Sequence, residues 1–357
     1  MPMASQYTIV KRFLSVGSFL LLYFFFAAPA QAQDPQFSQF YANPLYLNPG
    51  LVGNVENARV GVNFRHQWPA IDASFTTFTA YFDYFLEDFN SGVGVLLMRD
   101  QQGLAGLNST SLQLQYAYQL PLTEKLSFRP GITIGGIQRS INKDKLQFAD
   151  QFNGTGFDPV GQSGEDLSNL RSIYQFDLGL GGVLYMPNAY LGASVSHINQ
   201  PAFTFFGGED NVSYLPYKLS VHGGYVFYLQ ADALRRGFDQ FGRERSITPT
   251  FEYKSQGDFR QMSLGAYLTY EPVVFGVWYR GLPVGGLEGV ENNNEAAIFL
   301  LGLKTGDLNI GYSFDYTLSD LTINTGGAHE LSASYNFRLT NSRRPPKNVR
   351  LIPCPEF

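Results

Sequence analysis

Hydrophobic and polar residues take alternate positions along many short segments of this chain. The clearest segment runs from Ser109 to Leu120, where leucine and tyrosine alternate with glutamine and alanine. The same pattern recurs around Val60 and around Phe82. Because successive side chains of a β-strand point to opposite faces of the sheet, each segment predicts a strand with one apolar and one polar face.

The alternation recurs often enough to predict about fourteen strands. Short turns and longer loops alternate between them, and the longest loops follow Ser140 and His197. This arrangement is typical of outer-membrane barrels, which place short turns in the periplasm and longer loops outside the cell. The connection 230–246 is the exception, because it is long where a short turn is expected. The predicted strands cover residues 58–65, 74–84, 91–98, 109–120, 125–139, 173–185, 189–196, 217–229, 247–256, 260–270, 274–280, 295–304, 307–315 and 328–338.

The predicted fold is all-β: a transmembrane antiparallel β-barrel of about 14 strands with periplasmic termini, located in the outer membrane. A soluble β-sandwich is the alternative, but its buried faces would be rich in valine, isoleucine and leucine and would not oppose lines of glutamine and threonine. Arg59, Arg65 and Asp83 fall on the polar faces and would be costly in an apolar core, so they predict a hydrated interior. Aromatic residues near strand ends, among them Trp278, are predicted to lie at the membrane interfaces.

The beginning of the chain has the pattern of an export signal. Lys11 and Arg12 precede an apolar run, and a small-residue pattern at 30–32 predicts cleavage before Gln33. After that point no run of about 18 apolar residues occurs, so helical membrane spans are not expected. The predicted division is a signal peptide at 1–32, an N-terminal periplasmic lead or plug segment at 33–57, the transmembrane β-barrel at 58–338 and a basic periplasmic C-terminal tail at 339–357.

The composition fits a barrel that shows one face to lipid and the other to water. Aromatic residues make up 15% of the 357 residues and charged residues only 15%, whereas soluble proteins average about a quarter charged residues. The mean hydropathy of −0.12 is correspondingly close to neutral. The net charge of −5 provides no basic field, so no nucleic-acid partner is predicted.

No catalytic constellation is evident in the sequence. The four histidines occupy separate segments without the His-x-x-x-His spacing of zinc enzymes, and the Gly-x-Ser-x-Gly elbow of lipases does not occur. The single cysteine, Cys354, allows no internal disulfide. We therefore predict no enzyme activity, no catalytic residues, no cofactor and no metal site, with a barrel lipase or deacylase as the remaining alternative.

One loop carries aromatic residues that are candidates for contact with a partner. Phe203, Phe205 and Phe206 lie in the long loop after His197, beside acidic residues. Binding residues are concentrated in such loops, which favours a docking site. The alternative is that these rings fold inward and plug the pore.

The lead 33–57 is the second aromatic segment outside the strands. It contains Phe37, Phe40 and Tyr41 between proline and asparagine residues, which predict an irregular conformation. So many apolar residues would be unusual in a free periplasmic tail. The lead is therefore predicted to pack inside the barrel mouth.

Motifs near both ends of the chain resemble one family. The lead contains Asp-Pro-x-Phe-Ser-Gln-Phe-Tyr from Asp34 and an Asn-Pro-Gly turn from Asn48, and the first strand ends in Arg-His-Gln-Trp-Pro from Arg65. Together with the closing Cys-Pro-Glu-Phe, these motifs resemble the PorP/SprF family of Bacteroidetes outer-membrane proteins over the whole mature chain. His66 departs from the pattern, since members often carry an acidic residue there. The resemblance implies a non-enzymatic β-barrel of the type IX secretion and gliding machinery.

The resemblance also implies partners. Some members belong to the core secretion complex, and others each serve one large surface adhesin that they help to export or anchor. It follows that this chain would bind a secreted adhesin-like protein with a type IX sorting C-terminal domain, periplasmic or lipoprotein components of the machinery, and outer-membrane lipid. The alternative function is a passive outer-membrane channel or hydrophobic-ligand transporter, which a barrel of about fourteen strands permits. The sequence leaves the lumen open, plugged or filled by a partner.

The tail after residue 338 is basic and rich in proline. It is predicted to contact an acidic periplasmic or lipoprotein partner, with a frayed tail as the alternative. The predicted partner-binding residues of the whole chain are Phe203, Phe205, Phe206, Phe37, Phe40, Tyr41, Trp68, Arg343, Arg344, Cys354 and Phe357.

Overall fold

The computed structural model describes the greater part of the chain beyond residue 32. The described residues are 33–56, 58–103, 106–153, 156–157, 163–165, 171–205, 212–229, 231–232, 235–236, 243–282, 294–318, 323–339 and 350–355. The predicted signal peptide at 1–32 lies outside them, as do four of the predicted partner-binding residues: Phe206, Arg343, Arg344 and Phe357.

Within the described residues, fourteen long strands make up most of the structure. All fourteen overlap the predicted strands, and the boundaries differ by a few residues. Their bounds are β1 Ala58–Gln67, β2 Phe75–Leu86, β3 Ser91–Gln102, β4 Leu107–Tyr118, β5 Ser127–Ile141, β6 Ile173–Tyr185, β7 Ala189–Ser196, β8 Lys218–Tyr225, β9 Arg245–Gln256, β10 Phe259–Tyr270, β11 Val273–Gly281, β12 Asn294–Thr305, β13 Leu308–Thr317 and β14 Ala328–Phe337.

The strands form a closed antiparallel barrel. Each strand pairs with its neighbours in sequence, and β1 pairs with β14 over its whole length, from Ala58 opposite Phe337 to Gln67 opposite Ala328. Because β8 also pairs with β9, the sheet has no open edge between its two halves. Closure of this kind satisfies the backbone hydrogen bonds of every strand, as a barrel in lipid requires.

The prediction for β8 was too long. That strand was expected to run to residue 229, but it ends at Tyr225, and Phe227–Tyr228 pairs separately with β9. Between them Val226 leaves the ladder and donates its N–H to the carbonyl of Asn188. The connection that follows, from 229 to 244, is the long exception to the pattern of short turns, and only part of it is described.

The two ends of the barrel differ in their connections. At one end, β1 begins, β14 ends and most turns are short; we call this the short-turn end. The opposite end carries the connections 142–172, 197–217, 282–293 and 318–327, and we call it the long-loop end. The predicted alternation of short and long connections is therefore confirmed, with 229–244 as its exception.

The outer face of the barrel is apolar. On β1, Val60, Val62 and Phe64 remain about 40% exposed, while Arg59 and Arg65, which flank them in sequence, are 6% and 3% exposed and point inward. The predicted division into an apolar outer face and a polar inner face is confirmed. The predicted hydrated interior is wrong for the three residues that indicated it, because Arg59, Arg65 and Asp83 are buried and ion-paired.

Arg59 shows how the inward charges are accommodated. It lies directly opposite Asp83 in the β1–β2 register, and the guanidinium donates two hydrogen bonds of 3.0 and 2.9 Å to that carboxylate. A buried ion pair with such bidentate geometry keeps both charges satisfied without water.

The helices of the described residues are short, and the α-helix α1 comprises only Pro44–Leu47. None of the described helices is long and apolar enough to span a membrane.

Candidate functional site

The lead 33–56 lies inside the barrel and crosses it from end to end. Its first residues contact the long-loop end, where Asp34 meets the ends of β7, β8 and β9. Halfway along, Gln115 of β4 donates a 2.7 Å hydrogen bond to the carbonyl of Leu45. At the short-turn end, the N–H of Gly53 donates to Asp83 at 2.8 Å, just before β1 begins. Residue 34 and the start of β1 therefore lie at opposite ends of the lumen.

The outer end of the lead is held by a cluster of charges around Asp34. Its carboxylate lies 2.7 Å from Lys218 Nζ and 2.9 Å from His197 Nε2. The other ring nitrogen of His197, Nδ1, lies 2.8 Å from Asp177. The N–H of Asp34 donates to the side-chain oxygen of Gln256 at 2.9 Å. Residues from β8, β9 and the loop after β7 thus contact one lead residue, and Asp177 of β6 holds the ring of His197.

The protonation of this cluster follows from its charges. Burial disfavours the charged form of Asp34, but the positive charges of His197 and Lys218 outweigh it and hold the pKa of this carboxyl well below its usual value. Burial likewise disfavours the imidazolium of His197, but the charge of Asp34 and the hydrogen bonds to Asp177 and Asp34 raise the pKa of His197 to about 9. At neutral pH the carboxylate of Asp34 therefore faces the imidazolium of His197 and the ammonium of Lys218.

A second buried network holds the lead at Ser38. The Ser38 hydroxyl donates to Asp315 at 2.6 Å and accepts from Arg65 and Arg280, each at 2.7 Å. The N–H groups of Ser38 and the next residue both donate to the carboxylate of Glu330, at 2.7 and 3.0 Å. Two arginines and two carboxylates from four strands therefore surround one serine of the lead, with their charges balanced.

Aromatic rings fill the middle of the lumen. Phe40 packs edge-on against Trp278 with ring centroids 4.8 Å apart, and Tyr41 packs in the same manner against Tyr190 at 5.7 Å. Tyr267 completes the group, 4.5 Å from Trp278. The sequence placed Trp278 at a membrane interface, which is wrong: it is 3% exposed and points inward. Its position on the inward face of β11 follows from the register, two residues from inward Arg280.

The inner end of the lead is seated directly against the backbone of the barrel wall. A Cβ atom on Gly92 of β3 would lie 2.0 Å from the Val52 carbonyl oxygen, so only glycine permits this approach. On β5, Arg129 is completely buried and donates to the same carbonyl. Asn48 contacts the ring of His222 at 3.2 Å and donates to the carbonyl of Ala193 at 3.1 Å. This part of the lead is tightly packed on several sides.

The C-terminal tail closes the short-turn end. Ile352 is 2% exposed and exchanges hydrogen bonds with Asn54, its N–H donating at 2.7 Å and its carbonyl accepting at 3.2 Å. Cys354 packs against the aromatic cluster, and its sulfur accepts from the same Asn54 side chain at 3.3 Å. Tyr185 donates to the carbonyl of Arg350 at 2.9 Å. Both ends of the described chain therefore occupy the lumen.

The structure places the other predicted partner-binding residues as follows. Phe203 folds inward and is 6% exposed, with the Arg139 guanidinium 4.2 Å from its ring centre, whereas Phe205 is half-buried. Trp68 is half-buried at the long-loop end, and its ring packs edge-on against Phe75. Its backbone N–H donates to the carbonyl of Gly327 at 2.8 Å. Partner binding by any of these residues stays a prediction.

Three cavities adjoin the first residues of the lead. One of about 230 Å³ lies at the long-loop end between Gln36, Trp68, Arg280 and Glu295. Two smaller ones adjoin Asp34 and the residue after it. Among the described residues, no group of three or more histidine, cysteine or carboxylate side chains could hold a metal ion.

These features define the molecule as an outer-membrane β-barrel whose lumen is occupied by its own chain ends. Residues 30–335 match the family model described as "Type IX secretion system membrane protein PorP/SprF". The chain therefore belongs to the PorP/SprF family and is a membrane component of type IX secretion. No curated protein matches it.

Solved structures with a similar arrangement of strands are distant in sequence. The P. putida toluene transporter TodX is 10% identical, with 82% of this chain and 93% of that chain covered and a TM-score of 0.45. The Ralstonia pickettii toluene transporter TbuX is 11% identical, with 83% and 94% covered and a TM-score of 0.44. Similarity at this level has no bearing on the ligand or partner of the present chain.

Proposed function

We propose that this protein is a non-enzymatic outer-membrane component of the type IX secretion and gliding machinery that binds a secreted surface protein and helps to export or anchor it. Membership of the PorP/SprF family supports the pathway. The partner would be an adhesin-like protein with a type IX sorting C-terminal domain. Periplasmic or lipoprotein components would bind at the short-turn end, beside the tail.

The observation that carries this proposal is the occupation of the lumen by the chain's own ends. Asp34 and Ile352 are held inside the barrel from opposite ends, and the space between them is filled by aromatic side chains. A lumen filled in this way favours binding at the barrel mouth over transport through it. Outer-membrane barrels carry their longer loops on the cell exterior, so the long-loop end is the side available to a surface protein.

The loop after β7 is the best-supported contact on that side. Its Tyr214 and Tyr217 are more than half exposed, while Phe203 and Leu215 anchor the loop inward. Tyrosine presents apolar area and a hydrogen-bonding hydroxyl together, a combination enriched at protein interfaces. The loop thus offers an anchored scaffold with outward aromatic side chains.

Surface display in the native bacterium tests the proposal. Deleting the gene should remove one type IX surface protein, and the wild-type gene should restore it. A variant with Tyr214→Asp and Tyr217→Asp should fail to restore it, while Lys125→Asp, an exposed change at the short-turn end, should succeed. Unchanged display of every type IX cargo after deletion would reject the proposal.

A conductance measurement tests the alternative of a passive channel or hydrophobic-ligand transporter. The full mature chain in a planar bilayer should show no steady conductance, because lead and tail fill the lumen. Steady conductance of the unmodified protein would favour the channel instead.

A further inference from the structure

We propose that residues 34–38 occupy, within their own chain, a peptide-binding site at the long-loop end. The site would receive a partner polypeptide that carries a carboxylate followed three residues later by an aromatic ring. This inference rests on the proposed function only in naming the secreted protein as the source of that polypeptide. If the partner polypeptide replaced residues 34–38 in this site, a segment of the partner would lie in the barrel mouth.

The barrel and Tyr46, from the part of the lead that stays in place, contact features of this segment that any peptide of the same chemistry would present. Lys218 and His197 bind the carboxylate of Asp34, at 2.7 and 2.9 Å. The Tyr46 hydroxyl donates to the carbonyl of Pro35, and Phe37 packs edge-on against the Tyr46 ring at 5.2 Å. The barrel therefore binds the carboxylate, while Tyr46 of the inner part of the lead binds a backbone carbonyl and an aromatic side chain.

Backbone recognition continues one residue further along. Glu330 accepts the N–H groups of Ser38 and Gln39, at 2.7 and 3.0 Å. Contacts with main-chain groups provide affinity for an extended peptide, while pockets for particular side chains provide selectivity. Both kinds of contact are present along these few residues.

Packing distinguishes the outer part of the lead from the inner part. All three cavities adjoin the outer part at Gln33–Gln36, and the largest of them, about 230 Å³, touches no later residue of the lead. The inner part fits against Gly92 so closely that a single Cβ would overlap the Val52 carbonyl. Within residues 34–38 only Phe37 buries a large apolar side chain, and Asp34 and Ser38 are held by polar contacts. Because the inner part is close-packed against the wall, the outer part can leave while the inner part stays.

This division has a functional advantage. Departure of residues 34–38 would open a site at the mouth, while Val52, Arg129 and Ile352 would still close the short-turn end. A partner segment could therefore enter without creating a path across the membrane. Because the resident segment is tethered, its effective concentration is of the order of millimolar, so a free peptide should compete poorly with it.

The test measures binding of a synthetic peptide to the purified barrel in detergent. The probe is the peptide of residues 34–38 with a fluorescent label on its N-terminal amide, which faces the long-loop end, and binding is read as anisotropy. A variant lacking residues 33–38 should bind the peptide, and the full mature chain should bind at least about tenfold more weakly because its own segment competes. Replacing the aspartate of the peptide by asparagine should weaken binding to the variant about tenfold or more.

Two further results complete the test. Lys218→Met in the deletion variant should lose the preference for aspartate over asparagine, whereas Lys125→Asp should keep it. Should the deletion variant fail to fold, the full chain with Asp34→Asn and Ser38→Ala takes its place, and it should bind the peptide more tightly than the wild type. Absence of binding to a folded deletion variant, or equal binding to wild type and variant, would overturn the inference whatever the outcome for surface display.

Discussion

The His197 ring nitrogen Nε2 lies 2.9 Å from the carboxylate of Asp34, so a loop residue at the barrel mouth holds the lead through a buried ion pair. The opposite nitrogen faces Asp177, and Lys218 shares the carboxylate of Asp34. The imidazolium is therefore the bridge between the loop after β7, the barrel wall and the lead. Its protonation should set how firmly the outer part of the lead is held.

We predict that this contribution to stability declines in alkaline solution. The pKa of His197 is raised to about 9 in the folded protein, against about 6.5 for an unperturbed histidine. The contribution is therefore complete below about pH 6.5 and is lost as the pH rises through about 9. Asp34 acts in the opposite sense, because its lowered pKa makes its contribution complete above about pH 4 and lost only as the pH falls further.

Thermal unfolding of the purified barrel at several pH values measures this effect. Between pH 6.5 and 10 the unfolding midpoint of the wild type should fall, and His197→Gln should remove most of that fall. His329→Gln, which changes a half-buried histidine outside the cluster, serves as the control and should keep the wild-type profile. Matching profiles for wild type and His197→Gln would contradict the prediction.

Removing Arg65 should destabilise the barrel severely. Arg65 pairs with Asp315 at 2.8 Å and Glu330 at 3.2 Å, and all three side chains are at most 4% exposed. Arg65→Met removes a positive charge from beside these two buried carboxylates, which should lower the free energy of unfolding by about 3 to 5 kcal/mol. Denaturant unfolding in detergent measures the loss. Arg99→Met, on the exposed face of β3, should change stability by less than about 0.5 kcal/mol.

The strand architecture was predictable because period-two alternation depends on neighbouring residues alone. Val60 and Arg59 point to opposite faces whatever surrounds them, and the structure confirms that division. The state of the interior was not predictable in the same way. Arg59 indicates a hydrated lumen only until Asp83 is known to lie directly opposite, and that pairing depends on the exact strand register.

The course of the lead illustrates a further limit. Its aromatic residues predicted that it would pack inside the mouth, but its contacts with the barrel and the tail join it to residues from 30 to nearly 300 positions away. No local pattern encodes contacts of that range. Trp278 was misplaced for a related reason: aromatic residues near strand ends suit either an interface or a filled lumen, and only the occupant of the lumen distinguishes them.

Gly92→Ala should disturb the inner part of the lead. The new Cβ would overlap the Val52 carbonyl, and relief requires movement of backbone on the lead or on β3. Overpacking of this kind costs about 1 to 3 kcal/mol. The matched control is Gly136→Ala on β5, where the nearest atom to an added Cβ is 3.8 Å away. Unfolding in denaturant should separate the two variants, and equal stability would show that the lead is not seated against Gly92.

Loss of the Ile352 side chain should release the tail from the short-turn end. Ile352 is 2% exposed, so Ile352→Asp would bury a carboxylate in the aromatic cluster, and the tail should leave the lumen instead. Leu351→Asp provides the control, since Leu351 is 38% exposed and its change should leave the tail in place.

The reactivity of Cys354 measures the release of the tail, because its thiol packs against the same cluster. Reaction of the Cys354 thiol with a maleimide should be at least about tenfold faster in Ile352→Asp than in the wild type. A tenfold change corresponds to a loss of about 1.4 kcal/mol in the free energy that keeps the tail closed. Equal rates in Ile352→Asp and Leu351→Asp would mean that Ile352 does not hold the tail.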